Sequence, residues 1–228
     1  MSSEKMPVEL YAIHTGFLED EIIFAKKLKQ VSYERYQKVT SLKIKEEQKR
    51  SLAAGLLLES ILKERGYDPE KMVREESGRL FLPEVQNFYF SIAHSGEYAV
   101  CAIADLPVGV DIQQKKDTKM KLARRFFQSK EADHIDKQPV EKQQDLFFRY
   151  WTGKESYLKL TGKGLLGGLD SFMVDFESSK ILDSYNQKEI YLKEYHCFQD
   201  YFISVACYSA DFATFIKKIL RNEPTPKS

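Results

Sequence analysis

Two runs in this chain put oxygen and nitrogen side chains at spacings that chemistry can use. The first is VGVDIQ, Val108 to Gln113. Its clean alternation predicts a strand with Val108, Val110 and Ile112 on one face and Gly109, Asp111 and Gln113 on the other. Oxygen-bearing side chains at i and i+2 on one face suit a hard cation such as Mg²⁺, which takes carboxylate and carbonyl oxygens and keeps part of its water. The same pattern also fits a half-exposed strand with polar outward positions. The second run is RYWTGKESYLKLTGKGL, Arg149 to Leu165. At about 100° per residue, Trp151 and Leu158 define the buried stripe of a helix, Lys154 falls in that sector and Glu155 lies at its edge. Charge on a packing face is costly unless paired or bound to something. Glu155 and Lys159 share a face at i, i+4, so a helical salt bridge with Lys154 snorkelling is the plain alternative.

Other candidates are weaker. In SIAHSGEY, Ser91 to Tyr98, His94 ends an apolar run and Ser95-Gly96 opens a turn. No GxSxG elbow surrounds Ser95, which argues against a serine nucleophile. His94 then reads either as a structural histidine or as a contact to phosphate. Arg35, Lys38, Lys43, Lys45, Lys49 and Arg50 form a basic run interrupted by Glu46 and Glu47, the pattern of a solvated helical face. A small multiply phosphorylated ligand would need only a few of these charges, with Arg79 of ESGRLFLP in reserve. Gly162, Gly164, Gly167 and Gly168 suggest a phosphate loop, but GxxxxGK[ST] is absent. A helix cap and a mobile loop are the better reading.

Positioning these groups requires the following elements. LYAIHTGF, Leu10 to Phe17, reads as a strand, and the charged stretch to about Lys45 as mostly helical. Glu46 to Arg65 is a helix apolar on nearly all sides, hence buried, with Gly66 as its cap and Pro69 beyond. Arg79–Pro83, Phe88–Ala93 and, across the HSGE turn, Tyr98–Ala104 make a meander. After Asp105-Leu106-Pro107 comes the strand Val108–Ile112, then helices between about Met120 and Leu160. Strands follow near Phe172–Phe176, Ile190–Tyr195 and Tyr201–Tyr208. A long helix precedes EYAVCAIA in one half and DYFISVAC in the other, a weak duplication of about 100 residues. The expected fold is therefore α+β, a pseudodimer of two similar halves (1–106 and 107–221) with a flexible tail at 222–228. The cleft between the halves is the natural ligand site.

Composition bounds the function. The 228 residues carry 35 Lys plus Arg against 34 Asp plus Glu, a formal net charge of +1, which argues against a nucleic-acid partner. With 43% hydrophobic and 13% aromatic residues, the chain can bury a real core and is not disordered. Cys101, Cys197 and Cys207 form no CxxC pair and sit in or beside apolar runs, so buried thiols in a reducing compartment are expected. The N-terminus has no signal-like apolar region and no run is long enough to span a membrane, which leads to the expectation of a cytoplasmic protein without a membrane partner.

Taken together, these residues resemble the 4′-phosphopantetheinyl transferase superfamily, in its longer Sfp (surfactin-synthetase-activating) type. Its signature is (V/I)G(V/I)D followed some forty residues on by (F/W)xxKE(S/A)xxK. Here the blocks are VGVD at Val108–Asp111 and WTGKESYLK at Trp151–Lys159. The likeness continues through VSYERYQK (Val31–Lys38), KRSLAAG (Lys49–Gly55), ESGRLFLP (Glu76–Pro83), FSIAHSGEY (Phe90–Tyr98) and RRFFQSKE (Arg124–Glu131).

The resemblance implies a transferase that moves the 4′-phosphopantetheine arm of coenzyme A to a serine of an apo acyl or peptidyl carrier protein, releasing adenosine 3′,5′-bisphosphate. It implies Mg²⁺, or Mn²⁺, held by Asp111 and Glu155. Gln113 stands where many members have a glutamate and would be a neutral third ligand. Glu155 would also be the base toward the serine proton, and Lys159 would offset phosphoryl charge. His94 matches a phosphate-contacting position, whereas Ala93 stands where members often have Ser or Thr. Arg35, Lys38, Arg50 and Arg79, with Gly78 beside the last, fall on positions that hold the phosphates and adenosine end of coenzyme A. Ser51 would touch the adenine. A monomer is expected, because one chain contains both halves. A coenzyme A-binding regulatory module without turnover and a divergent Mg²⁺-dependent nucleotide hydrolase are the competing expectations.

Overall fold

In LAAGLLLESIL, Leu52 to Leu62, apolar residues fall on nearly every side, and the chain answers by burying the helix that contains them. The computed structural model describes residues 6–76, 78–117, 121–164 and 168–219. The chain runs through β1 (Val8–His14), α1 (Glu21–Leu28), α2 (Tyr33–Ser41), α3 (Lys45–Glu64), β2 (Val73–Arg74), β3 (Leu80–Phe81), β4 (Tyr89–Ser95) and β5 (Tyr98–Ala104). It continues through β6 (Val108–Gln114), α4 (Lys121–Phe126), α5 (Ser129–Asp136), α6 (Val140–Thr161), β7 (Met173–Asp175), β8 (Lys180–Leu182), β9 (Ile190–Tyr195), β10 (Tyr201–Cys207) and β11 (Phe212–Ile219). The fold is α+β. The expected tail at 222–228 lies outside the described residues.

Two main sheets stand face to face. One has the order β11-β1-β5-β4, the other β6-β10-β9-β8-β7. Every pairing is antiparallel except β1 with β11. Period-2 alternation sorts the side chains of each strand between two layers. Leu10, Val100, Ala102, Val110, Ile112 and Val205 point into the layer between the sheets. Tyr11, Ile13, Cys101 and Ile103 point outward onto α3. Ala206 and Leu192 meet α6, together with Phe147, Phe148, Tyr157 and Leu158. Because both faces of these strands are covered, they read in sequence as almost unbroken apolar runs. Among the described residues no helix is long and apolar enough to cross a membrane.

The long helix of each layer ends where the sequence says it should. Gly66 (φ +78°) follows α3, and Gly162 (φ +70°) caps α6 in the left-handed conformation that glycine adopts without strain. One thiol departs from expectation. Cys101 and Cys207 are buried, but Cys197 is exposed, because it lies in the loop between β9 and β10 and not in either strand.

β6 and α6 approach one another closely at Gly109. A Cβ on Gly109 would stand 2.0 Å from Ser156 O and 2.4 Å from Leu160 N, both backbone atoms of α6. Backbone cannot rotate away, so only glycine lets the helix lie this near the strand. Gly109→Ala should therefore force the two elements apart and lower stability by about 3 kcal/mol. Urea unfolding checks this, and a wild-type midpoint in the variant would mean that the helix does not rest on this strand.

Candidate active site

The tight packing at Gly109 has a direct consequence two residues along β6. Asp111 projects from the same face and meets α6 at Lys159, whose Nζ donates to Asp111 Oδ1 at 2.7 Å and to Val110 O at 3.0 Å. Glu155, one turn earlier on α6, lies close enough for the two carboxylates to repel one another. Burial pushes the Asp111 carboxyl above its ordinary range, opposed by Lys159 and by the Ile112 N–H. Glu155 is raised in the same way, first by burial and then by the charge of Asp111. The i, i+4 salt bridge from Glu155 to Lys159 does not form, since Lys159 turns to the strand and pairs with Asp111.

These three residues form one wall of a cleft of about 420 Å³. The opposite wall comes from α2, α3 and the β2–β3 hairpin, through Arg35, Lys38, Ser51, Gly78 and Arg79. His94 and Ala93 on β4 join the two. Two expected residues lie off this surface. Arg50 is not on the cleft wall and stands 3.8 Å from Glu47, although its charge still reaches His94. Gln113 is farther along β6, opposite Phe202 of β10, and also does not line the cleft. The rest of the basic run is largely engaged elsewhere, with Lys45 on Glu21 and Lys49 on Glu19 and Glu46.

Arg35 is the most telling group. It is only 4% exposed, yet its Nε and Nη2 have no hydrogen-bond partner, and Nη1 reaches Ser51 Oγ only at 3.5 Å. Its stem lies over Gly55, where a Cβ would come within 2.5 Å of Arg35 Cγ. Desolvation pulls the guanidinium below its ordinary pKa despite the nearby Glu34 and Glu59. A buried cation with idle donors facing a cleft is costly unless an anion completes it. His94 is affected by the same surplus of positive charge. Desolvation in the cleft wall, then Lys159, Arg50 and Arg35, push its imidazole down to about 4. Solvent still reaches the side chain, which limits the desolvation and leaves the three cations a real share. At neutral pH the ring is uncharged, and one nitrogen can donate to a ligand oxygen.

Sequence reasoning missed two residues that shape this wall. Glu59, buried on α3, accepts Ser32 N at 3.0 and 3.1 Å and Ser32 Oγ at 2.7 Å, fastening the start of α2, the helix that carries Arg35 and Lys38. A lone acid inside the apolar run LLLESIL was the available signal. Arg74 binds Glu34 on α2 and Gly78 O, tying the hairpin to that helix. Nothing in the local sequence marks it. Lys154 proves to be fully buried, not snorkelling. It pairs with buried Glu131 at 2.7 Å and donates to Leu169 O and Phe172 O, anchoring the chain beyond the glycine-rich loop. That loop, from Leu165 to Gly167, lies outside the described residues.

A profile of the 4′-phosphopantetheinyl transferase superfamily matches residues 107–213. The chain is 32% identical over 172 residues to 4′-phosphopantetheinyl transferase psf-1 of Bacillus pumilus, covering 72% of this chain and 73% of that protein. It is 30% identical over 202 residues to 4′-phosphopantetheinyl transferase Sfp of Bacillus subtilis strain 168, covering 85% and 89%. A more distant relative is the L-aminoadipate-semialdehyde dehydrogenase-phosphopantetheinyl transferase of Rattus norvegicus, 26% identical over 215 residues, covering 81% and 69%.

The crowded carboxylates should weaken the ligand-free protein. A carboxyl whose folded-state pKa is raised binds protons more tightly in the native state, so its stabilising effect is full below the ordinary carboxylate range and disappears as pH rises through the raised value. Glu155→Gln removes that charge. In chelator, its Tm should exceed wild type at pH 8, and the gap should close below about pH 4, the unfolded-state range for glutamate. A variant that melts below wild type at pH 8 would contradict the repulsion.

Proposed function

Because the chain belongs to the 4′-phosphopantetheinyl transferase superfamily, we propose that it transfers the 4′-phosphopantetheine arm of coenzyme A to a serine hydroxyl of an apo acyl or peptidyl carrier protein. The observation that carries this reading is the cleft with two chemically opposite walls. One presents the unsatisfied Arg35 guanidinium beside Lys38 and Arg79, and the other the Asp111, Glu155 and Lys159 group. Coenzyme A has two phosphate centres, a 3′-phosphate on the adenosine ribose and a pyrophosphate that joins the adenosine to the pantetheine arm. The basic wall suits the first and the mixed wall the second.

Phosphoryl transfer asks a protein mainly for positioning and charge neutralisation. Arg35, Lys38 and Arg79 hold the adenosine 3′-phosphate end, with Ser51 and Gly78 on the same wall, and uncharged His94 donates to a phosphate oxygen. Lys159, already paired with Asp111, offsets charge growing on the phosphoryl oxygens. The serine oxygen bonds to the phosphorus that carries the pantetheine arm, the bridging P–O bond breaks, and adenosine 3′,5′-bisphosphate leaves with that oxygen. Glu155 takes the serine proton.

Asp111 and Glu155 are hard oxygen donors that face each other at a cost in repulsion, a pair that fits a divalent cation such as Mg²⁺ or Mn²⁺. Among the described residues no third acid, His or Cys joins them, so the ion would keep part of its water. When bound, the ion supplies charge neutralisation at the pyrophosphate. Residues 1–106 and 107–221 are read as related halves from the recurrence of a long helix followed by an antiparallel pair, α3 before β4 and β5, α6 before β9 and β10, and a cytoplasmic monomer is part of the same proposal.

Incubating the protein with coenzyme A, Mg²⁺ and a panel of apo carriers should add the mass of the arm to at least one of them. No gain on any carrier, with coenzyme A still bound, would favour a regulatory module instead. Glu155→Ala should lower the rate by roughly 10². Arg35→Ala should raise KM for coenzyme A by about 10-fold or more, the loss of a charge-assisted contact. Unchanged constants in either variant would remove that residue from its role.

A further inference from the structure

Each main sheet ends, on the cleft side, in a strand that no further strand covers among the described residues: β4 in one and β6 in the other. The two strands lie side by side. Where they meet, side chains replace the backbone ladder. Ser91 Oγ accepts the Val110 N–H at 3.1 Å, and Ser95 Oγ accepts the Gln114 N–H at 3.0 Å. Both pairs are separated by 19 positions, so the strands run in the same direction and in register. That register sets Ala93 against Ile112, and both lie in the layer between the sheets. Ala93 has no hydroxyl to offer, and the Ile112 N–H serves the Asp111 carboxylate instead.

Val110, the residue just before Asp111, is thus held at both of its backbone polar groups. Its N–H is fixed by Ser91 from one sheet, and its carbonyl accepts from Lys159 on the helix that covers the other. We propose that Ser91 is a positioning residue: by clamping Val110 to β4 it sets where the Asp111 carboxylate stands relative to Lys159, Glu155 and the His94 borne by β4 itself. Ser95 forms the same kind of bond four residues away, beyond the cleft wall, and provides an internal control. The inference rests on the reading of Asp111 as a working carboxylate.

The test compares wild type with Ser91→Ala, Ser91→Thr and Ser95→Ala in two measurements on the full chain. Amide hydrogen exchange reads the clamp without any substrate. Ser91→Ala should speed exchange at Val110 by about 10-fold or more, while Ser91→Thr, which keeps the hydroxyl, should restore protection. Turnover on an apo carrier reads the consequence. Misplacing a reacting group by a fraction of an ångström to an ångström lowers rates by about 10 to 10². Ser91→Ala should therefore lose kcat in that range with KM for coenzyme A within about twofold, and Ser95→Ala should keep kcat within about twofold, since neither change touches the basic wall. Unchanged Val110 exchange in Ser91→Ala, or equal losses of kcat in Ser91→Ala and Ser95→Ala, would overturn the proposal. Wild-type protein that modifies no carrier would defeat the functional reading, while the exchange measurement would still decide the clamp.

Discussion

The contact of β6 with α6 at Gly109 is the constraint on which the site depends. With no side chain at that position, the Ser156 carbonyl and the Leu160 amide occupy space that any Cβ would claim. The helix can then lie flat enough for its next inward turn to meet the strand, so Lys159 reaches both the Val110 carbonyl and the Asp111 carboxylate. Glu155 comes with it. A motif that spacing alone describes as two separate blocks is, in three dimensions, a single contact. The small residue between the valines is as necessary to it as the acid that follows.

Charge burial divides the polar residues of this protein into two kinds. Lys154 and Glu131 are as deeply buried as any group in the molecule, but each is paired and further hydrogen-bonded, and they anchor the segment beyond α6. Arg35 is nearly as buried and is left with idle donors, while Asp111 and Glu155 are crowded together at a cost. The satisfied pair serves the fold, and the unsatisfied groups are those that the proposed ligand and cation would complete. This is stability given up where binding will return it. The near-cancellation of 35 basic and 34 acidic residues conceals a local cluster, because Arg35, Lys38, Arg74 and Arg79 line the same cleft as Asp111 and Glu155.

Much of this was legible in the sequence where local pattern and tertiary environment agree. The alternation in VGVDIQ placed Asp111 opposite the apolar face of its strand, IYLKEY marked β9 at its true bounds, and the all-apolar run around Leu57 announced a buried helix capped by Gly66. The sequence was silent where long-range contacts decide. The parallel pairing of β11 with β1 joins the two ends of the chain, and FATFIKKI carries no local sign of its partner. The short strand KIL of β8 is too brief to show a period. Lys154 falls on the packing face in sequence, but a snorkelling and a buried lysine look alike until Glu131, distant in sequence, is brought beside it. Arg74 is placed by a hairpin docking on α2, and Ser91 by the meeting of two sheet edges, which no window along the chain contains.

In the proposed reading both walls of this cleft hold one molecule of coenzyme A, its 3′-phosphate at Arg35 and its pyrophosphate at Asp111, Glu155 and Lys159. A crystal structure of the chain with coenzyme A and Mg²⁺ tests that most directly. The account predicts a phosphate oxygen on the idle Nε and Nη2 of Arg35 and the pyrophosphate beside Lys159. Coenzyme A bound outside the cleft, or with its pyrophosphate on Arg35, would contradict it.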